Sequence, residues 1–578
     1  MKLTKIETNI KRNLYLNITS NLNLMPCSKP IENQVINIYP HLQSQSIIGF
    51  GAAITQSSAY VLNNIDKNIA DKIIDEYFSK DGLNYSICRL PIGSSDFSTK
   101  SYSYSYKEDL TDFSIENDKL IIQTIKMAKK RSSDLKFLAS PWSPPAFMKN
   151  NNNLYHGGKL LEKYYSLWAK YLVRYVIEYK KENINIDYMT IQNEPNASQS
   201  WESCTYTSQE EANLLKNYLF PIFKENGLNT KFLIWDHNKE GLLNRAISEF
   251  IDNSALDYAA GAAFHWYTGS NFENIRLFHN LFPNKLLIHT EGCTGYSNFK
   301  AKDELFNAEL YASEIIGDFN AGANAFIDWN LVLDYKGGPN HKNNNCNSPI
   351  MINKGNNGYI KTPSFYYLSQ FCKYIKQDAK KIASSTYTDD INVISFKNTN
   401  NSIIIVLLNK TDNNKEFNFP EKKELKTSFK DYLDSTVDNK YYLTNNDYKV
   451  LANGNMLFRK YNNSDILYEI DLKKVYNGGV CGVDLHSKFN QSSHVFSIFG
   501  NCPTLTANNT ADNCKILVGK NMNLRIRKIT ALEAFRLMGF DDIDYLRAKV
   551  VCSESQLYHQ AGNSIVVNVI YYILKNLL

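Results

Sequence analysis

The sequence predicts an α/β protein built on a (β/α)8 TIM barrel, with an incomplete β-sandwich side domain and a further mixed α/β segment behind it. Three observations predict the barrel. Eight short apolar, β-branched runs fall between about residues 45 and 335. Stretches of helical spacing separate them. The runs end in polar or aromatic residues, where a barrel of this kind gathers its chemistry.

In chain order the runs are "SIIGFGAAIT", "NYSICRLPIGSSDF", "LKFLASPWS", "IDYMTIQNEP", "KFLIWDHN", "AAGAAFHWY", "KLLIHTEGC" and "AFIDWNLVL". Residues 1–45 precede them and are read as contributing to the β-sandwich. The barrel takes 46–375. A representative helix is expected from Lys159 to Glu182, with Leu160, Tyr164, Leu167, Tyr171 and Val173 near one face. Beyond Pro363, "INVISFKNTNNSIIIVLLNKTDNNKEFNFP" alternates strands with polar turns, which reads as a β-sandwich flap over 376–418. Residues 419–578 change character again.

Composition excludes little. The net charge of +6 is small for 578 residues and demands no nucleic-acid partner. The ten cysteines contain no Cys-x-x-Cys pair and no metal-like spacing, so reduced thiols and no metal are expected. "MKLTKIETNIKRNLYLNITSNLNLM" lacks the apolar core of a signal peptide, and no apolar run has the length of a membrane span. The expectation is a cytoplasmic protein without a membrane anchor.

Two acids stand out. Glu194 follows "YMTIQN" and Glu291 follows "LLIHT", about three strand–helix units later. Acids ending the fourth and seventh strands can face each other across the barrel mouth. Cleavage of a glycosidic bond needs such a pair, about 5–5.5 Å apart when the anomeric configuration is retained. Asn193, beside Glu194, can hydrogen-bond a sugar 2-hydroxyl.

The surroundings carry more. "GFGAAIT", "RLPIGSSDFS", "ASPWSPPAFMK", "TIQNEP", "WDHN", "AFHWY", "HTEGC", "DWNLVLDYKGGPNH" and "PSFYYLSQF" occur in this order. Over about residues 30–418 the chain resembles glycoside hydrolase family 30, on its glucosylceramidase-like side. The resemblance implies a retaining β-glycosidase that needs no cofactor and acts on a glucoside or glucosylceramide-like substrate. Glu194 would be the acid/base and Glu291 the nucleophile. Asp96, Trp142, Asn193, His265, Tyr267 and Trp329 would line the sugar pocket, and Arg89 would support the nucleophile. The residues agree with these roles. Asp96 can accept two hydroxyls, Trp142 and Trp329 can face ring C–H groups, Tyr267 can donate to Glu291, and Arg89 can hold that acid ionised. Two departures stand out: Gln56 stands where the family often has an acid, and the further strands with which family members close their sandwich do not follow "IIIVLLNKTDNNKEFNF", which would leave 376–418 a truncated β-sandwich with an apolar edge.

The tail resembles something else. "PTLTANN" (503–509), "RKITALEAFRLMGF" (527–540) and "QLYHQAGNSIVVNVI" (556–570) are similar in order and spacing to the C-terminal part of DNA cytosine-5 methyltransferases. Arg527, Glu533, Arg536 and Gly539 fall in the second motif; Gln560, Gly562 and Asn563 fall in the third. The resemblance implies a target-recognition region between about Tyr441 and Asn501. The nucleophilic Pro-Cys loop, the Glu-Asn-Val-like acid segment and the Gly-rich cofactor loop do not follow residue 419, and "MPCSKP" (25–30) lacks the loop's context. S-adenosylmethionine is therefore not expected to bind the tail. Three readings stay open: a glycosidase with a vestigial tail; a DNA-recognition half that pairs with a separate methyltransferase half; and a non-functional gene fusion.

Overall fold

A computed structural model of the chain describes residues 2–23, 34–295, 304–419, 432–442, 495–497, 515–518 and 525–563. They divide into two compact units, Met1–Glu421 and Lys422–Leu578.

In the first unit, β1 (Lys2–Asn9) and β2 (Leu14–Asn23) form an antiparallel hairpin by themselves. β3 (Asn37–Ser46) leads into the barrel. The barrel strands are β4 (Gly49–Ala53), β5 (Ile87–Ile92), β6 (Lys136–Pro141), β7 (Tyr188–Thr190), β8 (Lys231–Asn238), β9 (Gly261–His265), β10 (Leu286–Glu291) and β11 (Ala325–Asn330). All are parallel, and β11 closes on β4 with Ala325 opposite Gly49. Each expected run holds one barrel strand. Three short strands follow as a separate sheet: β12 (Val332–Leu333), β13 (Ile350–Ile352) and β14 (Tyr359–Lys361). Then β15 (Lys380–Ser385), β16 (Ile391–Lys397) and β17 (Ile403–Asn409) join β3 in an antiparallel sheet ordered β17-β16-β15-β3. The side sheet thus takes one edge from before the barrel. Its other edge, β17, carries the half-buried Ile403, Ile404 and Ile405.

Strand alternation sets what the barrel holds inside. Ile87, Leu138, Tyr188, Leu233, Ala263, Ile288, Ala325 and Ile327 form one buried apolar cluster drawn from β5 to β11. Two residues further along a strand is the same face, one layer higher. That places Arg89, Ser140, Thr190, His265, Thr290 and Trp329 directly above the apolar plug. Gly51 has no room for a side chain: a Cβ there would lie 1.6 Å from the Ile87 carbonyl oxygen of the neighbouring strand.

The expected helix after the third strand is Tyr165–Lys181, entered through a short 3-10 turn at Glu162–Tyr164. Its buried face is wider than expected and heavily aromatic: Tyr165, Trp168, Tyr171, Leu172, Tyr175, Val176 and Tyr179. Leu160 precedes the helix and bridges to Lys149. Under this face lies Asp118, fully buried, accepting from the hydroxyls of Tyr102 at 2.7 Å, Tyr104 at 2.5 Å and Tyr179 at 2.7 Å. Burial pushes its carboxyl from 3.8 up to about 6, against the pull of the three hydroxyls. The folded chain therefore holds this proton longer than the unfolded chain does. Its contribution to stability is full below pH 3.8 and is lost as the pH rises through about 6. Asp118→Asn is expected to flatten that part of the melting temperature profile, as measured by calorimetry between those pH values; an unchanged difference between variant and wild type across the window would contradict it.

In the second unit, β18 (Val495–Ser497) pairs parallel with β19 (Lys515–Val518), which pairs antiparallel with β20 (Arg525–Lys528). Helices follow at Ala531–Leu537, Asp542–Lys549 and Glu554–Asn563. Ile516, Ile529, Ala534, Phe535, Leu557, Tyr558 and Ala561 make a small core of their own. Most of the expected target-recognition region, "PTLTANN" and "MPCSKP" lie outside the described residues.

Candidate active site

The layer above the plug is polar and centred on Arg89. The guanidinium is fully buried and reaches four groups: Glu291 Oε2 at 2.5 Å, Asn193 Oδ1 at 2.7 Å, Asp236 Oδ2 at 2.8 Å and Ser140 Oγ at 3.1 Å. Asp236 is equally buried and equally satisfied. It accepts from Arg89, lies 2.6 Å from both Thr190 Oγ1 and Thr290 Oγ1, and meets His265 Nε2 at 3.1 Å. Burial alone would raise its carboxyl; the Arg89 charge and the His265 contact outweigh burial and hold it well below the usual carboxylate range.

Asp236 reaches this layer through a break in strand alternation. Leu233 is in the plug, so Trp235 would follow it inward. Instead β8 shifts register against β9 between Trp235 and His237, and both Trp235 (φ +75°) and Asp236 (φ +50°) are left-handed. The extra residue turns Trp235 out into the barrel–helix core and Asp236 in. Glu194 is left-handed too, at φ +48°. β7 stops at Thr190, and the Glu194 amide donates to the Asp236 carbonyl at 3.0 Å, so each strained segment fixes the other.

The two expected catalytic acids sit in different surroundings. Glu291 receives Arg89 on Oε2 and the Tyr267 hydroxyl on Oε1 at 2.9 Å. Glu194 meets His265 Nδ1 at 3.3 Å and His237 Nδ1 at 3.7 Å on Oε1, and Gln199 Nε2 at 3.3 Å on Oε2. Burial would raise Glu194, but the hydrogen bond and charge of His265, then His237 and Gln199, carry it below the usual range. His265 moves the other way. Burial would lower it; the Glu291 charge, then Asp236 and Glu194, lift it to about 9.

Of the expected pocket residues, Asn193, His265 and Tyr267 join this network directly. Trp142 and Trp329 stack on each other with centroids 5.3 Å apart, and Arg89 lies 4.7 Å from the Trp142 ring centre. One face of each indole is thus occupied by the other. Trp329 Nε1 is buried with no hydrogen-bond partner among the described residues. Asp96, on the loop after β5, accepts from Asn344 Nδ2 at 2.9 Å. Burial and the charge of Glu291 push its carboxyl well above the usual value. Gln56 is tied into the wall, accepting from the Thr99 amide at 2.8 Å. Asp236, His237 and Gln199 were not singled out from sequence. "WDHN" marked the stretch, but only a register break tells which of its residues faces inward.

Removing Arg89 would leave two buried carboxylates facing each other. Arg89→Met is expected to cost roughly 3–5 kcal/mol of stability, the scale for breaking a buried pair. Arg89→Lys would restore charge but not the fork that serves four acceptors, so it should recover only part. Denaturant unfolding measures both; wild-type stability in the Met variant would refute the assignment.

In the tail, Arg527 is not on a solvated face. It is buried and paired twice with Glu533, at 2.7 and 2.8 Å. Glu533 also closes the capping box with Thr530 at the start of the Ala531–Leu537 helix. Arg536 is held by Asp434 at 2.6 Å and Asp542 at 2.7 Å. Gly539, at φ +88°, ends the helix where a Cβ would be strained. Gln560 contacts Cys552, and Gly562 and Asn563 close the Glu554–Asn563 helix.

A barrel with paired acids, a buried arginine beneath one of them and aromatic residues around both defines a glycoside hydrolase. The family model for the glycosyl hydrolase family 30 TIM-barrel domain matches residues 47–375, and the chain belongs to that family. A second model, C-5 cytosine-specific DNA methylase, matches 389–578. That match begins earlier than the tail motifs do and includes β16 and β17, which the structure pairs with β15 in the first unit. Putative glucosylceramidase 4 of Caenorhabditis elegans is 32% identical over 64% of this chain and 75% of its own length. Among solved structures, SrfJ from Salmonella typhimurium is 33% identical with a TM-score of 0.69, covering 71% of this chain and 93% of its own. The endo-β1,6-glucanase BT3312 is 28% identical with a TM-score of 0.65, covering 73% and 94%. No helix among the described residues is long and apolar enough to cross a membrane.

Proposed function

We propose that the barrel hydrolyses a β-glucoside with retention of configuration, Glu291 attacking the anomeric carbon and Glu194 serving as acid, then base. The observation that carries this reading is the asymmetry between the acids. Glu291 is held on both carboxyl oxygens, by a guanidinium and a phenol, which fix it in place for attack. Glu194 abuts two imidazoles and an amide, a setting in which a proton can be exchanged. Arg89 takes the Asn193 carbonyl oxygen, which leaves the amide nitrogen to donate to a sugar hydroxyl. Asp96 can accept from hydroxyls, and the partnerless Trp329 Nε1 suits an acceptor oxygen of the sugar. Putative glucosylceramidase 4 and an endo-β1,6-glucanase among the similar proteins support a glucose-type glycone.

Hydrolysis of aryl β-glucoside by the full-length protein, followed by NMR before mutarotation, tests it. β-Glucose as first product supports double displacement; α-glucose overturns it. Aryl β-xyloside and β-1,6-linked glucose oligomers run in parallel rank the substrates.

To the tail we assign no methyl transfer. Its sequence offers no Pro-Cys nucleophile, acid segment or glycine-rich loop, so S-adenosylmethionine has nothing there to hold it. Arg527 and Arg536 are engaged within the unit, which speaks against their use on phosphates. Gel shift with duplex DNA at low and moderate salt is expected to show no specific complex; a sequence-dependent shift would revive the recognition-half reading.

A further inference from the structure

We propose that Glu194, His237 and His265 form a binding site for Zn2+, or a divalent cation of the same borderline class, at the mouth of the barrel. One ligand atom from each residue lies within 4.8 Å of the other two. Both imidazoles present Nδ1 to the same oxygen, Glu194 Oε1, at 3.3 Å for His265 and 3.7 Å for His237. Bonds of about 2.0–2.1 Å in tetrahedral geometry put neighbouring ligand atoms roughly 3.3–3.4 Å apart. Two of the separations are already close to that. Rotation of His237 closes the rest, and no hydrogen bond holds its Nδ1 in place.

The lone pairs are where a cation needs them. His265 Nε2 faces Asp236 Oδ1 at 3.1 Å, and an ionised carboxylate only accepts. Nε2 therefore donates to Asp236, and Nδ1, which faces Glu194 Oε1, is the nitrogen that gives up its proton when a cation binds. Carboxylate, imidazole and cation in line is the arrangement that orients histidine ligands in metal sites. Asp236 is itself held by Arg89, Thr190 and Thr290, so this support does not depend on the cation. His237 Nδ1 is buried without any hydrogen-bond partner among the described residues, a lone pair or proton with no other use. A cation here takes the place of the proton that His265 Nδ1 shares with Glu194 Oε1.

Donor chemistry selects the ion. Two imidazole nitrogens and one carboxylate oxygen suit Zn2+ and its neighbours; Ca2+ and Mg2+ require more oxygens than are present. The side chains of Glu194 and His237 are 14% and 13% exposed, so an ion can enter and keep a water as fourth ligand. Glu194 Oε1 would then be unavailable for protonation. On the reading of Glu194 as acid/base, Zn2+ inhibits hydrolysis, and a chelator restores it.

Calorimetric titration of the full chain with Zn2+ tests the site without requiring turnover. One saturable site is expected, weakened about 10–100-fold or more in His237→Gln and in Glu194→Gln. The Co2+ adduct of the wild type should show tetrahedral visible bands without thiolate charge transfer. Absence of saturable binding, equal affinity in both variants, or a thiolate band would overturn the site. Binding by a chain that hydrolyses no glycoside would instead sink the glycosidase reading and leave the metal site standing. Full activity in saturating Zn2+ would show that the ion does not reach Glu194.

Discussion

Glu291→Gln is expected to abolish hydrolysis of every β-glycoside the protein cleaves, by on the order of 10^5–10^6-fold in kcat, the scale of deleting a covalent nucleophile. The amide keeps the shape of the carboxylate but cannot form the glycosyl ester. The substitution is otherwise mild. Arg89 retains Asp236, Asn193 and Ser140, so the guanidinium stays paired. With the amide oxygen turned toward Arg89, the amide nitrogen can donate to the Tyr267 hydroxyl oxygen. The variant should therefore fold and still bind glucoside, which separates lost chemistry from lost structure. Steady-state kinetics with an activated aryl β-glucoside, beside a thermal melt, checks both. Residual activity within tenfold of wild type would remove Glu291 from the nucleophile's role.

The barrel was legible because parallel strands buried on both faces read as apolar runs, and eight of them in register leave few other folds. The acids were legible for a different reason: "NEP" and "TEGC" sit where strands end, and a carboxylate there has little structural purpose. Asp236 was not legible. Strand parity assigns the inward position to Trp235, and only two successive left-handed residues reverse it. Nothing in the local composition announces that turn; "WDHN" contains no glycine to permit it. The Glu194–His237–His265 cluster was invisible for a related reason. Its members come from the ends of β7, β8 and β9, so no sequence spacing links them.

The tail shows the opposite failure. A run of charges such as Arg525, Arg527 and Lys528 usually faces water. In the fold Arg527 is the buried partner of Glu533, and the pair ties β20 to the start of the next helix. Glu533 is bound twice over, to the helix N-terminus through the capping box with Thr530 and to the arginine. The side sheet was half legible. Alternation marked β16 and β17, and residues 1–45 were expected to contribute to the sandwich, as β3 does; that β15 stands between β3 and β16, and in which register, is long-range pairing that no local pattern encodes.

Glu194→Gln separates the two steps of the proposed reaction. The amide keeps contact with Gln199 and the two histidines but carries no transferable proton. A poor leaving group, such as an alkyl alcohol, needs that proton as the glycosidic bond breaks. For alkyl β-glucosides kcat/KM should fall about 10^2–10^4-fold, the usual worth of a positioned general acid. An activated aryl leaving group departs as a stable anion, so its kcat/KM, which reports the first irreversible step, should change little. Its kcat should still drop, because the second step needs Glu194 to take a proton from water. The glycosyl-enzyme then accumulates, and the aryl substrate should give a burst of phenol followed by a slow steady state with a lowered KM. This combination distinguishes acid/base loss from a general distortion of the site, which would lower kcat/KM for both leaving groups alike. A leaving-group-independent loss would assign Glu194 to positioning, and the proton would have to come from another group, with His265 or His237 next in line.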